Sequence, residues 1–325
     1  MVSSFAKRPV QTAKAACPGS PKSARRLLPL PILPLLALPF LAFTICDTRA
    51  ETSGTESSNG ARQPVHSAEV TFGVYALGSK GVEMRLATKR GESAVQVDTA
   101  MKTAGMLDWV MSFTMTGQVV ARIDGAQLRP MLYVTQSDGN WSKRATRMTW
   151  EKDGQPIIDM LEPPNETDDR EPVPESLLQG TSDPTTAMIA RALRGGAEPP
   201  CTGMDAIFDG RRRYNMHFTP IGPDWVKPHN RSAYSGPAFK CQVKIEPVAG
   251  YTRTYLAEWS EKDEQPTLIW LVQPDGIDAW IPVQLEGGFR LGSAMGWISG
   301  AKLNGKEWLA PLGLIRAEIP RDPSP

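Results

Sequence analysis

Asp209-Gly210-Arg211-Arg212-Arg213-Tyr214 is the densest run of chemically capable side chains in this 325-residue sequence. Three guanidiniums beside a carboxylate could recognise a phosphate or carboxylate head group, because each arginine fork offers paired N–H donors to a planar anion. The same run could instead be a turn entering a strand, since Asp-Gly favours tight turns. On a strand, Arg211 and Arg213 share one face and Arg212 takes the other with Tyr214. If Tyr214 faces the core, Arg212 then needs a buried partner such as Asp209 or Glu258. The residues leave both readings of Asp209, Arg211, Arg212 and Arg213 open.

Other chemistries are thinner. The three histidines, His66, His217 and His229, show no metal-ligand spacing, and no C-x-x-C occurs. No zinc site and no other cofactor is expected. The nucleophile motif G-x-S-x-G is absent, and Gly287-Gly288 reads as a hairpin turn. Asp205, Asp209, Asp275 and Asp278 could supply the paired carboxylates of a glycoside hydrolase. Against that, Asp209-Gly210 and Asp275-Gly276 also have the composition of turns. Nine tryptophans, seven of them between Trp141 and Trp297, either fill a core or line an apolar cavity.

Two of the four cysteines, Cys17 and Cys46, lie in an N-terminal segment with the pattern of an export signal. Basic residues are followed by the apolar run Leu27–Ile45 and by Thr48-Arg49-Ala50. The sequence predicts cleavage between Ala50 and Glu51 and a periplasmic product. A retained anchor and a lipoprotein signal at Cys46 are the alternatives. Pro29, Pro31, Pro34 and Pro39 interrupt the run and disfavour a spanning helix, and Ile45 is large for lipoprotein processing. Residues 1–50 hold seven Lys or Arg and one acid, so the remaining chain has 29 basic and 34 acidic residues, a formal net charge of −5. That balance gives no electrostatic footprint for nucleic acid as a partner and none for an anionic membrane. Cys201 and Cys241 remain after cleavage. In an oxidising compartment an even pair suggests a disulfide, with two separate buried thiols as the alternative.

The elements that must position these residues are mainly strands. Gly and Pro together number 57, which favours many turns. Residues 51–67 read as a disordered spacer. From Ala68 the apolar residues alternate: Val70, Phe72 and Val74, then Val82, Met84 and Leu86 after a turn at Gly78–Gly81. Strands are predicted near 93–98, 119–123, 130–136, 145–151 and 157–160, with Asp-Gly pairs between them, as in a meander. Ala100–Phe113 reads as a short helix or irregular corner. Residues 161–182 form an acidic, proline-rich connection. A helix is predicted over 183–194, with Asp183 as N-cap and Pro184 in the first turn, ending at Gly195-Gly196. Residues 201–305 return to alternation, with strands at Tyr214–Phe218, Phe239–Ile245, 252–259, 267–273, 279–285 and 295–303. Residues 306–325 are a tail. So long an antiparallel sheet twists and curls. The predicted fold is mainly β, a half-barrel or barrel with one central α-helix packed against it.

The stretch C-T-G-M-D-A-I-F-D-G-R-R-R-Y-N-M from Cys201, followed by G-P-A-F-K-C-Q-V-K-I-E-P-V-A-G-Y up to Tyr251, resembles the DUF3108 family of exported bacterial proteins. The D-P-T-T-A-M-I-A helix and R-P-M-L-Y at Arg129–Tyr133 also fit. The family is defined by sequence and has no established activity. Over roughly Val70–Gly300 the resemblance implies a periplasmic β-rich domain and transfers no catalytic residue. The expected function is non-enzymatic binding of a lipid, another amphiphilic ligand or an envelope protein on a curved sheet. The alternative is a carboxylate-dependent hydrolase of envelope glycans.

Overall fold

The computed structural model describes residues 63–125, 127–140, 142–164, 170–193, 200–259, 266–289 and 292–312. The cleavage position at Ala50–Glu51, most of the 51–67 spacer, the Gly195-Gly196 helix stop and the end of the tail lie outside these residues.

The alternating segments form two antiparallel meanders. The first comprises β2 (Ser67–Ala76), β3 (Ser79–Arg90), β4 (Ala94–Thr103), β5 (Phe113–Asp124), β6 (Gln127–Gly139), β7 (Ser142–Trp150) and β8 (Pro156–Glu162). A two-residue β1 at Gln63–Pro64 precedes it, and α1 (Met106–Val110) sits between β4 and β5. After α2 (Pro184–Leu193), the second comprises β9 (Gly203–Phe208), β10 (Arg213–Val226), β11 (Gly236–Ala249), β12 (Thr267–Val272), β14 (Ile281–Phe289) and β15 (Gly292–Leu303). Helix α3 (Arg253–Glu258) and the short β13 (Ile277–Asp278) are inserted, and β16 (Lys306–Leu309) pairs with β15. The strand order is β8-β7-β6-β5-β4-β3-β2-β15-β14-β12-β11-β10-β9. The meanders therefore join through their first and last strands, with Phe72 opposite Ile298 and Val70 opposite Ala301. All four of these side chains are buried.

The sheet does not close by hydrogen bonds; β8 and β9 are its edges. They are also consecutive in sequence, and their connection carries α2. The helix packs against β5, β6 and β9. Thr186 through Arg191 are all buried, the pattern of a helix enclosed on every side. The expected half-barrel with a central helix is what forms. Its N-terminus follows the sequence signal: Asp183 Oδ1 accepts from Thr186 N at 2.8 Å. Apolar residues of both meanders and Ala187, Met188 and Ile189 of α2 share one core.

Five local expectations need correction. Residues 253–258 are helical rather than extended, because Thr252 Oγ1 accepts from Tyr255 N at 3.1 Å and caps the first turn. The β2–β3 turn falls at Leu77-Gly78, not Gly78–Gly81. Gly287 and Gly288 lie within β14 instead of forming a turn. Lys306–Leu309 is a strand within the expected tail, and Gln63, Pro64 and Ser67 of the expected spacer are in strands.

Candidate functional site

The Asp209 turn sits where the two edges of the sheet approach. It links β9 to β10, and its backbone lies against the opposite edge. A Cβ on Gly210 would be 2.5 Å from Thr146 Cγ2 of β7 and 3.7 Å from Leu161 Cδ1 of β8. Gly210 also has φ +92°, a conformation that glycine adopts without penalty. Arg211 N and Arg212 N donate to Asp209 Oδ1 at 3.0 and 2.7 Å, and the Arg212 fork donates to Oδ2 at 2.9 and 2.7 Å. One carboxylate thus builds the turn and pairs the guanidinium.

The other two arginines reach the connection from β8 to α2. Arg211, buried, donates from Nη2 to Pro163 O at 2.6 Å, and Arg213 Nε donates to Leu177 O at 3.2 Å. Arg213 Nη1 also donates to Tyr214 O and Asn215 Oδ1. Because Arg213 is the first residue of β10, Arg211 and Arg212 belong to the turn, and strand alternation does not govern which way they point. The charge on Asp209 raises the Arg212 pKa, and burial lowers that of Arg213. Tyr133, Tyr214 and Tyr251 are all buried, and burial holds each phenol well above its ordinary pKa, with Asp209 adding to the effect. They stay neutral across the physiological range, so the surroundings of this ion pair contain no ready phenolate.

A second cluster is apolar and exposed. Leu77 and Gly78 both have positive φ, +49° and +82°, as the two central residues of a type I′ turn require. Asn is favoured at the first of these positions; here a leucine occupies it and is 79% exposed. On the β4–β5 connection, α1 exposes Met106 (69%), Trp109 (90%) and Val110 (71%). Leu107 turns inward against Gly81. Thr103, buried, fixes the helix: its Oγ1 donates to Asp108 Oδ1 at 2.6 Å and accepts from Phe113 N at 2.9 Å. Ala104 N donates to Gly81 O, tying α1 to the start of β3. The backbone that carries the exposed side chains is therefore tied to the sheet.

Cys201 and Cys241 are bonded, with Cα atoms 6.1 Å apart and a sequence separation of 40. The bridge joins the chain entering β9 to β11. Beside it, Arg191 at the end of α2 is buried and holds Asp205 of β9 through Nε–Oδ2 at 2.6 Å and Nη2–Oδ1 at 2.7 Å. Arg191 also donates to the carbonyls of Thr202 and Met204.

Residues 67–296 match the family described as a protein of unknown function, DUF3108. The chain belongs to that family. The matched span contains the first meander, the second as far as the start of β15, α2, the Asp209 turn and both bonded cysteines. No curated protein matches the sequence. One similar solved structure is the beta-barrel-like protein of domain of unknown function DUF1849 from Brucella abortus. It is 11% identical, covers 74% of this chain and 99% of that one, and has a TM-score of 0.44.

Within this DUF3108 domain the four suspected carboxylates are dispersed in role. Asp205 is paired with Arg191 and Asp209 with Arg212. Asp275 lies in the turn before β13, and Asp278 is buried in β13. His229 stacks on Trp297 with centroids 4.4 Å apart, and His217 bonds Glu246 on the surface of β10 and β11. Among the described residues no cluster of His, Cys, Asp and Glu is arranged to hold a metal ion, and no helix is long and apolar enough to cross a membrane. Sequence reasoning missed Arg191. Its signal was present: it is the only charge in Pro184–Leu193, and a lone charge on an apolar helix that becomes buried needs a partner.

Proposed function

We propose that this DUF3108 protein is exported to the periplasm by cleavage after Ala50 and acts there without catalysis, binding an apolar or amphiphilic partner. The binding surface is the exposed apolar end of the curved sheet. The observation that carries this reading is the exposure of two large apolar residues: Leu77, 79% exposed in a turn position that favours Asn, and Trp109, 90% exposed on the β4–β5 connection that Ala104 N ties to Gly81 O. Large apolar side chains grouped on a protein surface mark interaction sites. The burial of Thr186–Arg191 against β5, β6 and β9 supports an outer surface over the face that α2 covers. The pairing of Asp205 and Asp209 with arginines favours structural roles for the carboxylates that the hydrolase reading needs. The disulfide fits an oxidising compartment.

A photo-crosslinking amino acid at position 109, expressed in cells of a bacterium that exports the protein, tests the reading. The expected product is a discrete adduct with an envelope lipid or protein that disappears when Leu77→Asn is added. Absence of any adduct refutes the binding surface. N-terminal sequencing of the periplasmic protein should begin at Glu51; a retained residue 1–50 segment in the membrane fraction refutes the export reading.

A further inference from the structure

We infer that Asp183 is the trigger of a proton-controlled seam: the junction that residues 180–183 make between the two edges of the sheet is closed while this carboxyl carries a proton, and opens locally when the proton leaves. The inference is independent of the proposed binding surface.

The seam is short. Gly180 N donates to Gly154 O of the β7–β8 turn at 3.2 Å, and Trp150 Nε1 of β7 donates to Thr181 O at 3.0 Å. On the other side, Ser182 N donates to Ala206 O and Phe208 N to Ser182 O, both at 2.9 Å, so Ser182 bridges β9 in parallel. Three consecutive residues thus reach from one edge of the sheet to the other, where β8 and β9 are not paired. Asp183 comes next, and its Oδ1 and carbonyl accept from Thr186 N and Ala187 N. A change at Asp183 therefore acts on the seam and on the start of α2 together. The rest of the sheet is held by long ladders, such as the β2–β15 pairing that runs from Ala68–Leu303 to Ala76–Ala294. A few bonds at one junction open more readily than such ladders.

The trigger is a conflict of solvation. Asp183 is fully buried, and its Oδ2, Thr186 Oγ1 and Ser182 Oγ are buried polar atoms without a hydrogen-bond partner among the described residues. A protonated carboxyl is neutral there, and the two hydroxyl oxygens, one and three residues away, can accept its proton's hydrogen bond. A carboxylate there is a charge held out of water, and burial accordingly raises the carboxyl from 3.8 to about 6. Opening the seam rehydrates the charge. The groups on the surrounding elements leave it uncompensated. Tyr133 of β6 and Tyr214 of β10 stay neutral, and β5 contributes the buried apolar Val119 and Ala121. Arg191 is paired with Asp205 of β9 and Arg212 with Asp209, while Arg211 and Arg213 donate to the Pro163 and Leu177 carbonyls. Glu151, Lys152, Asp153 and Glu175 on the flanking turns are exposed. Opening uncovers Ile207, Phe208 and the Ala187–Ile189 turn, all buried when the seam is closed.

The test is amide hydrogen exchange in the purified protein at pH 5 and pH 7.5, with each rate corrected for the pH dependence of intrinsic exchange. The reporters are the amides of Ser182, Thr186, Ala187 and Phe208, and the β2–β15 amides are the reference. In the wild type the reporters should exchange faster than the reference at both pH values, as a sub-global opening requires. Their protection should fall about tenfold from pH 5 to pH 7.5 by proton linkage. In Asp183→Asn it should be the same at both pH values and no lower than the wild-type value at pH 5. Wild-type reporters whose protection does not change with pH overturn the inference. So does a variant that keeps the wild-type pH dependence, which assigns the proton to another group. Reporters protected as strongly as the β2–β15 amides also overturn it, because the ionisation then acts on the whole fold and no local seam exists. One readout needs no variant: the carboxyl carbon shift of wild-type Asp183 should titrate over the range in which the reporters lose protection. A carboxyl fully ionised at pH 5 overturns the inference.

Discussion

Asp183→Asn should make the protein more stable at neutral pH. Asp183 is fully buried at the start of α2. Its Oδ1 caps the helix through Thr186 N, while Oδ2 makes no hydrogen bond among the described residues. Burial pushes its pKa from 3.8 up to about 6. The folded state therefore holds this proton more tightly than the unfolded chain does. The stability it contributes is complete below about pH 4, falls as pH rises through the interval from about 4 to 6, and stays low above it. At about 1.4 kcal/mol per pK unit, a shift of roughly two units is worth about 3 kcal/mol. Asn is as good an N-cap as Asp, keeps the acceptor for Thr186 N and never ionises. Its advantage at pH 7.5 should be about 3 kcal/mol, or a melting temperature higher by roughly 6–12 °C for a domain of this size. At pH 4 the two proteins should melt together. Thermal and urea denaturation between pH 4 and 8 gives the comparison. A variant less stable than wild type at pH 7.5, or a gap that does not narrow toward pH 4, refutes the argument that Asp183 is held as a buried acid.

Other substitutions probe the ties between α2, the connection and the sheet. Cys201→Ser with Cys241→Ser should lose about 4 kcal/mol, the loop-entropy value for 40 residues, and the unreduced wild type should show no free thiol from these residues when denatured; two free thiols refute the bridge. Arg191→Ala should destabilise by about 3–5 kcal/mol, because it removes the buried guanidinium that bonds Asp205 and the Thr202 and Met204 carbonyls, and Arg191→Met with Asp205→Asn should recover much of the loss in urea midpoints. Arg211→Ala with Arg213→Ala should lower stability by about 2–4 kcal/mol, since charge-bearing donors to the Pro163 and Leu177 carbonyls are removed. A melting temperature unchanged by that double substitution would instead favour the head-group reading of the arginines.

Local signals in the sequence were readable where a residue and its consequence lie close together. Asp183-Pro184 marks the start of α2, and the alternation of Val70, Phe72, Met84 and Leu86 marks the core face of β2 and β3. The turn at Leu77-Gly78 escaped because leucine is a poor turn residue, and that mismatch is what points to the exposed end. Helix α3 escaped because its aromatic and Thr-rich sequence resembles a strand, and only the Thr252 cap distinguishes it. For the Asp209 turn, the sequence identified the residues but could not choose between an anion site and a structural tie. The partners that bear on that choice, Pro163 and Leu177, are 48 and 36 residues away from their arginines.

The pairing of β2 with β15 sets the order in which this chain can assemble. β2 is the first long strand made, and its second neighbour begins at Gly292. A ribosome that has released the whole first meander has still left β2 with one row of backbone donors and acceptors open to water. Contacts separated by more than 200 residues form slowly, because a long loop must close before any pairing energy is returned. The sheet therefore cannot be completed until nearly the entire polypeptide is available. If the chain is exported as proposed, such a late-closing topology would keep the nascent protein extended during translocation and defer its final collapse to the far side of the membrane.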